Sequence, residues 1–145
     1  MLELAGHIDI NRSAEDLWRL LLDPQILMRS IPECEELELI SPGRYRVAFK
    51  VRAGFLRSRF AGEVELKDVV EHERCQLELT AKGTAGVVHG ITKLWLLPAA
   101  DGIRTRFSYE SRAKASGMIA IVGSKWVQGS ARAMVEQLIA EVSRL

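Results

Sequence analysis

The chain has 145 residues, which is enough for one domain with a substantial core. Its 20 basic and 19 acidic residues give a net charge of +1, which excludes the strongly basic composition typical of nucleic-acid-binding proteins. Two cysteines are too few for a disulfide scaffold, and no secretory signal precedes Leu2. The uncharged runs fall short of the ~20 residues that a membrane-spanning helix needs. We therefore expect a cytoplasmic protein with reduced thiols and no nucleic-acid partner.

The N-terminal segment predicts one strand and two short helices. Apolar residues alternate with polar ones over residues 2–10, which is the period of a half-buried strand. Ser13 has the position of a helix N-cap, and Asp23-Pro24 starts a second helix with a cap and a proline at its first position. Ile31-Pro32 then ends that helix, because a residue before proline is disfavoured in helical conformation.

Six further strands are predicted after these helices, because apolar and polar residues continue to alternate along the chain. Turn residues separate these strands at Pro42-Gly43, Ala53-Gly54, Glu71–Arg74, Gly83–Gly86 and Asp101-Gly102. Antiparallel strands of this kind bury one face only, so another element must cover that face.

Residues 116–145 predict one long amphipathic helix, the only predicted element large enough to cover the sheet. Its inward stripe mixes small and bulky residues: Ile119, Val122, Gly123, Trp126, Gly129, Ser130, Ala131, Met134 and Leu138. A stripe with such gaps leaves space between helix and sheet, and Gly62 and Gly90 on the strands add to the gaps. The sequence therefore predicts an internal cavity.

Together these elements predict an α+β protein with a single domain over residues 1–145. A curved seven-stranded antiparallel sheet is expected to wrap around the long C-terminal helix, with two short helices after the first strand. This order resembles the helix-grip fold shared by START lipid-transfer domains, the birch-pollen allergen group and polyketide cyclases.

A narrower resemblance runs nearly end to end. The residues that carry it are Trp18, Leu22-Asp23-Pro24, Leu27, Ile31-Pro32-Glu33-Cys34, Tyr45, Phe60, Gly62, Glu65-Leu66, Gly90, Gly117, Gly123-Ser124-Lys125 and Gly129. In these residues the chain resembles the carbon monoxide dehydrogenase G-subunit family.

This resemblance implies a non-catalytic accessory protein of a molybdenum-containing hydroxylase of the carbon monoxide dehydrogenase type. The expected partners are an apolar small molecule such as a quinone or lipid, the hydroxylase subunits, and the inner membrane face, to which the protein would help dock the enzyme. Two alternatives stay open: a cyclase- or hydrolase-like enzyme of the same fold, and an assembly or interaction factor.

We expect apolar and aromatic side chains to line the cavity and bind the ligand. The candidates are Phe49, Phe60, Leu79, Phe107, Tyr109, Ile119, Val122 and Trp126. The inward polar groups are the hydroxyls of Ser58, Thr92, Thr105, Tyr109 and Ser111, which suit orientation of a ligand better than acid–base chemistry. We predict no catalytic residue, metal or cofactor, since nucleophile motifs are absent and the histidines and cysteines lack metal-ligand spacing.

The hairpin tip at Phe55-Leu56 is a candidate membrane contact. Two apolar residues predicted to be exposed lie there beside Arg52, Arg57 and Arg59, a combination that suits an anionic lipid surface. An ordinary solvated hairpin with a basic edge remains the alternative.

The strand from Val87 to Leu97 is apolar on both faces. If Val88 and its alternate neighbours face inward, Ile91, Trp95 and Leu97 form an apolar patch outside, which is typical of a partner surface. A register shifted by one residue would exchange the two faces.

Overall fold

The computed structural model of the protein describes residues 2–31, 33–121, 129, 133, 136–138 and 140–141. Within them the elements are, in chain order, β1 (Leu2–Ile10), α1 (Ala14–Leu21), α2 (Pro24–Ser30), β2 (Cys34–Ser41), β3 (Arg44–Ala53), β4 (Leu56–Val70), β5 (Arg74–Gly83), β6 (Gly86–Pro98) and β7 (Thr105–Ser116).

The strands form one seven-stranded antiparallel sheet in the order β1-β7-β6-β5-β4-β3-β2. Strands β2 to β7 pair as successive hairpins, and β1 pairs with β7. The sheet is open, because β1 and β2 lie at its two edges and do not pair with each other. The prediction of a seven-stranded antiparallel sheet with two short helices after the first strand is confirmed.

Both short helices begin where the sequence predicts. The Ser13 hydroxyl accepts a hydrogen bond from the Asp16 backbone N–H at 3.2 Å, and the Asp23 carboxylate accepts one from Gln25 N–H at 2.9 Å. Each cap satisfies an amide that has no partner inside its own helix. α1 is thereby fixed with Leu17 fully buried.

The prediction that the closing helix begins at Ser116 is wrong, because Ser116 is the last residue of β7. Gly117 follows with a φ of +80°, a conformation that favours glycine, and it turns the chain out of the strand. The first helical residue described is Ile119, whose N–H donates to the carbonyl of Ala85 at 2.9 Å. This hydrogen bond thus connects the residues that follow β7 to the β5–β6 turn.

Most of the predicted closing helix lies outside the described residues. The described positions 119–121, 129, 133, 136–138 and 140–141 are helical, so the length of the helix stays a prediction. Ile119 and Leu138 are buried, as the predicted inward stripe requires. Gly129 is exposed, with no described atom within 4 Å of where a Cβ would lie, so its placement in the inward stripe is wrong. The stripe residues that lie outside the described residues are Val122, Gly123, Trp126, Ser130, Ala131 and Met134.

Two clusters of buried apolar side chains form the described core. The helix-side cluster consists of Ile10, Leu17, Trp18, Leu20, Leu21, Ile26, Cys75, Leu96, Phe107 and Leu138. The hairpin-side cluster consists of Val47, Phe49, Val51, Leu56, Phe60, Ala81, Ala85, Val88 and Ile119. Because β6 contributes Leu96 to one and Val88 to the other, the clusters lie at opposite ends of that strand.

Candidate functional site

A cavity of about 370 Å³ lies on the inner face of the sheet and contacts both clusters. Its volume falls in the lower part of the range of roughly 300–1,000 Å³ that small-molecule sites occupy. Besides members of the clusters, the described residues that line it are Leu4, Leu22, Leu27, Ile31, Leu37, Tyr45, Val64, Leu66, Leu77, Leu79, Gly90, Thr92, Leu94, Tyr109, Ser111, Arg112 and Ala113. The interior is therefore packed at both ends and hollow between them.

Two small residues keep the middle of this face open. Gly90 and Ala113 are paired between β6 and β7, and both line the cavity. A Cβ added to Gly90 would make ordinary contacts, at 3.7 Å from the carbonyl oxygen of Arg112 and 3.8 Å from the Cβ of Ala113. Among the described residues, none fills the space that a side chain at Gly90 would take.

Gly62 does not open the cavity, contrary to the prediction. A Cβ added to Gly62 would overlap the carbonyl oxygen of Thr80 and lie 2.7 Å from the Cα of Ala81. The backbone of β5 occupies the place that a side chain would take. This glycine therefore permits close approach of two strands.

The predicted ligand-binding residues divide into three groups. Phe49, Leu79, Phe107 and Tyr109 line the cavity. Phe60 and Ile119 are buried in the hairpin-side cluster and are not among the described lining residues. Val122 and Trp126 lie outside the described residues.

The two short helices also contribute to the cavity wall, which was not predicted from the sequence. Trp18, Leu21, Leu22 and Leu27 line the cavity, as does Ile31 at the end of α2. The apolar side of each helix is the sequence signal that could have indicated them. Cys75, Leu77, Leu94 and Leu96 also line the cavity, on the inner face that strand alternation assigns to them.

Two of the predicted inward hydroxyls serve the fold. The Ser58 hydroxyl lies 3.2 Å from the hydroxyl of Thr84 and accepts a bond from Ala85 N–H at 3.3 Å. Thr105 donates to the carbonyl of Arg12 at 2.7 Å. These bonds fix a turn and join β7 to the start of α1.

Tyr45 adds a hydroxyl to the cavity lining. This hydroxyl donates to the carbonyl of Leu22 at 3.2 Å, which ties β3 to the junction between the helices. Burial raises the pKa of Tyr45 above its usual value of 10.0. The phenol therefore stays protonated and bonded at neutral pH.

Both thiols are held in their protonated form. Burial raises the pKa of Cys75, which lines the cavity, to about 11. Burial also raises the pKa of Cys34, whose Sγ donates to the Glu36 carbonyl at 3.4 Å. Neither thiol has the lowered pKa of a nucleophilic cysteine. Across the described residues, no three His, Cys, Asp or Glu side chains cluster as metal ligands would.

The hairpin tip exposes one apolar residue, not two. Phe55 is 77% exposed, whereas Leu56 is only 6% exposed and belongs to the hairpin-side cluster. The prediction that both are exposed is wrong for Leu56, because β4 begins there and alternation puts it on the inner face with Ser58 and Phe60.

The arginines near the tip are partly neutralised. Arg52 pairs with Glu33 at 3.7 Å, and Arg59 pairs with Glu35 at 3.0 Å. In the part of the chain that the structure describes, no helix has the length and apolar character needed to cross a bilayer.

The outer face of β6 carries the predicted apolar patch. Leu96 is buried while Leu97 is 53% exposed, so the predicted register is confirmed. Trp95 is half-buried between Arg74 and Ser108 on the neighbouring strands, and Ile91, on the same face of β6, is also half-buried.

Several solved structures share this fold. A conserved protein from Geobacillus kaustophilus matches with a TM-score of 0.86 at 24% identity, over 99% of this chain and 93% of that one. A START superfamily protein from Mycobacterium smegmatis matches with a TM-score of 0.73 at 12% identity, over 98% and 97%. The Zhui aromatase/cyclase from Streptomyces sp. R1128 matches with a TM-score of 0.70 at 13% identity, over 98% and 93%. At these identities the likeness shows the fold alone.

No curated protein matches the chain in sequence. A family model does match, over residues 6–145, and it describes the G subunit of carbon monoxide dehydrogenase, CoxG. This match covers nearly the whole sheet and the residues that follow it, so it includes every described residue that lines the cavity except Leu4. The chain belongs to the carbon monoxide dehydrogenase G-subunit (CoxG) family.

Proposed function

We propose that this protein is a non-catalytic accessory protein that binds one apolar molecule, a quinone or lipid, inside its sheet. The observation that carries the proposal is the cavity of about 370 Å³ between two packed clusters. Burial of apolar surface contributes about 0.8 kcal/mol for each CH₂ group, so a ligand that fills such a space binds through its hydrocarbon part.

The chemistry of the lining favours binding over catalysis. Apart from the Trp18 indole and Arg112, which pairs with Glu3, the described polar side chains of the lining carry hydroxyls or, at Cys75, a thiol whose pKa of about 11 keeps it protonated. Acid–base catalysis at neutral pH works best with a group that titrates near that pH. A cyclase- or hydrolase-like enzyme is therefore the less supported alternative.

Family membership supports the choice of partner enzyme. The family is named for carbon monoxide dehydrogenase, so we propose that the protein serves a molybdenum-containing hydroxylase of that type. Docking to a membrane surface would run through Phe55 alone, with Arg57 beside it, because Leu56 is buried and Arg52 and Arg59 are ion-paired.

The ligand can be tested directly. Native mass spectrometry of protein purified from its own host, followed by lipid extraction, is expected to show one apolar molecule per chain. The emptied protein should then bind ubiquinone-1 in equilibrium dialysis. The proposal would be contradicted if the protein from its host had the mass of the polypeptide alone and the protein did not take up ubiquinone-1.

Two tryptophans provide a matched pair for the same assay. We propose that Trp126 forms part of the cavity wall, whereas Trp95 lies on the outer face. Trp126→Ala is then expected to weaken ubiquinone-1 binding about tenfold, because the ligand loses contact equivalent to burial of roughly two CH₂ groups. Trp95→Ala should leave the binding unchanged. Both variants are compared at a temperature where circular dichroism shows them folded.

A second function, assembly with a partner protein, is favoured by the outer patch. Leu97 is 53% exposed and lies on the same face as the half-buried Trp95. If this patch contacts the hydroxylase, the variant Trp95→Ala, Leu97→Ser should lose co-purification with the enzyme and keep its ligand. Retained co-purification would remove the patch as the contact.

A further inference from the structure

The elements of the cavity wall are joined to one another in two different ways. Neighbouring strands are connected by ladders of backbone hydrogen bonds, so a space between two of them opens only if several such bonds break. α2 and the closing helix also contribute to the wall, through Leu27 and Leu138 respectively. No backbone hydrogen bond between described residues joins these two helices. The boundary between them is therefore the part of the described wall that can open with the least disruption of the fold.

The chain on either side of α2 is fixed to β3. Before α2, the carbonyl of Leu22 accepts a hydrogen bond from the Tyr45 hydroxyl at 3.2 Å. After α2, the carbonyl of Glu33 accepts one from the Lys50 backbone N–H at 3.0 Å. α2 is thus a short segment between two fixed points, and its middle can move only as far as these two attachments allow.

Between these fixed points, side chains hold α2 in place. Ile26 is buried in the helix-side cluster, which also contains Leu138 of the closing helix. Ser30 is fully buried, and its hydroxyl donates to the carbonyl of Ile26 within the same helix at 2.7 Å. Among the described residues, the one polar contact of α2 with another element is the ion pair of Arg29 with Glu141 of the closing helix, at 3.8 Å. This ion pair crosses the boundary between the two helices.

The Arg29–Glu141 ion pair favours the position in which α2 covers the cavity. Glu141 is only 5% exposed, whereas more than half of the Arg29 side chain is exposed. If α2 moves away while the closing helix stays in place, the buried carboxylate loses a compensating positive charge, which is unfavourable. Because the two charged groups lie 3.8 Å apart, beyond hydrogen-bonding distance, we expect the pair to slow this movement and not to prevent it.

We propose that α2 is the gate of the cavity and that the Arg29–Glu141 ion pair determines how often this gate opens. The inference rests on the proposed function, because a gate has a role only if a molecule enters and leaves the cavity. It adds the route of entry and the residues that control exchange. Arg29 is not among the described lining residues, so it should govern the rate of exchange and leave the affinity unchanged.

The Cys75 thiol reports opening of the gate without any ligand. Cys75 lines the cavity, is 4% exposed and belongs to the same cluster as Ile26 of α2. In a Cys34→Ser background it is the only thiol of the chain, and the neutral reagent 4,4′-dithiodipyridine reaches it only when the cavity opens. Arg29→Met keeps most of the apolar stem and removes the charge. It is expected to raise the rate of Cys75 modification about two- to fivefold, the effect of one partly exposed ion pair.

Arg46→Met is the matched control. Arg46 pairs with Glu38 at 3.6 Å, its side chain is about as exposed as that of Arg29, and it lies on the outer face of the sheet. This variant should leave the rate of Cys75 modification unchanged. Glu141→Gln removes the α2 ion pair from its other side, so Arg29→Met should have no further effect in that background. Urea unfolding of each variant measures global stability, and the rise in rate should exceed the factor that any loss of global stability gives.

Stopped-flow binding of 2-ethylnaphthalene, a small apolar probe, separates this inference from the proposed function. Arg29→Met should raise the association and dissociation rates by the same factor and leave the dissociation constant unchanged. If wild-type protein binds the probe but Arg29→Met changes neither these rates nor the modification of Cys75, the gate is overturned and the apolar-ligand function stands. Wild-type protein that does not bind the probe contradicts the proposed function and, with it, the role of α2 as a gate.

Discussion

Gly62 and Gly90 lie on the same face of the sheet and have opposite surroundings. At Gly62 the backbone of β5 fills the place of a side chain, and the neighbouring residues belong to the hairpin-side cluster. At Gly90, which lines the cavity, no described residue fills the same place. The difference shows that a small residue on an inward position does not by itself create a cavity; the position of the neighbouring strand decides.

The first prediction compares these two glycines directly. Gly62→Ala is expected to lower the free energy of unfolding by about 3 kcal/mol, because the overlapping atoms are backbone and cannot move away cheaply. Gly90→Ala should instead raise it by about 0.4–1 kcal/mol, since the position is open and the unfolded chain loses conformational freedom. Urea unfolding followed by circular dichroism measures both. Equal destabilisation by the two substitutions would contradict the contrast.

The second prediction concerns whether the cavity beside Cys75 excludes water. Burial raises the pKa of Cys75 from 9.0 to about 11, so the neutral thiol is favoured in the folded protein. The shift contributes about 2–3 kcal/mol to the free energy of unfolding. This contribution is fully present below pH 9 and is lost as the pH rises through 11. The free energy of unfolding should therefore fall more steeply over this interval in wild type than in Cys75→Ala.

Parallel pH curves for wild type and Cys75→Ala would mean that the Cys75 thiol titrates at its ordinary pKa. The cavity beside it would then be hydrated and a poorer site for an apolar ligand. The variant is the necessary control, because tyrosines and lysines titrate over the same pH interval in both proteins.

Most of the sheet could be predicted from the sequence, because one-sided burial imposes a strict two-residue period on antiparallel strands. The burial of Leu56 could also have been predicted, because alternation along β4 puts it on the same inner face as Ser58 and Phe60. Its place next to Phe55 suggested exposure instead. The start of the closing helix could not be predicted in the same way. Polar and apolar residues around Ser116 suit a strand or a helix, and the Gly117 conformation decides between them.

The existence of a cavity could be predicted from the sequence, but only some of its lining residues could. Phe49, Leu79, Phe107 and Tyr109 follow from strand alternation, which assigns a face. Whether an inward residue packs into a cluster, as Phe60 does, or borders a space depends on distances between elements, which no local pattern encodes. The role of Trp18 was missed for that reason.

The most direct test of the central claim is to fill the hollow region and measure binding. Gly90→Leu places a side chain in the open space, and Ala61→Leu adds the same side chain to an exposed position on β4. In equilibrium dialysis with 2-ethylnaphthalene, we expect about tenfold weaker binding by Gly90→Leu, because roughly two CH₂ groups of ligand lose their place. We expect unchanged binding by Ala61→Leu. A folded Gly90→Leu protein that binds the probe as tightly as wild type would contradict the assignment of this cavity as the binding site.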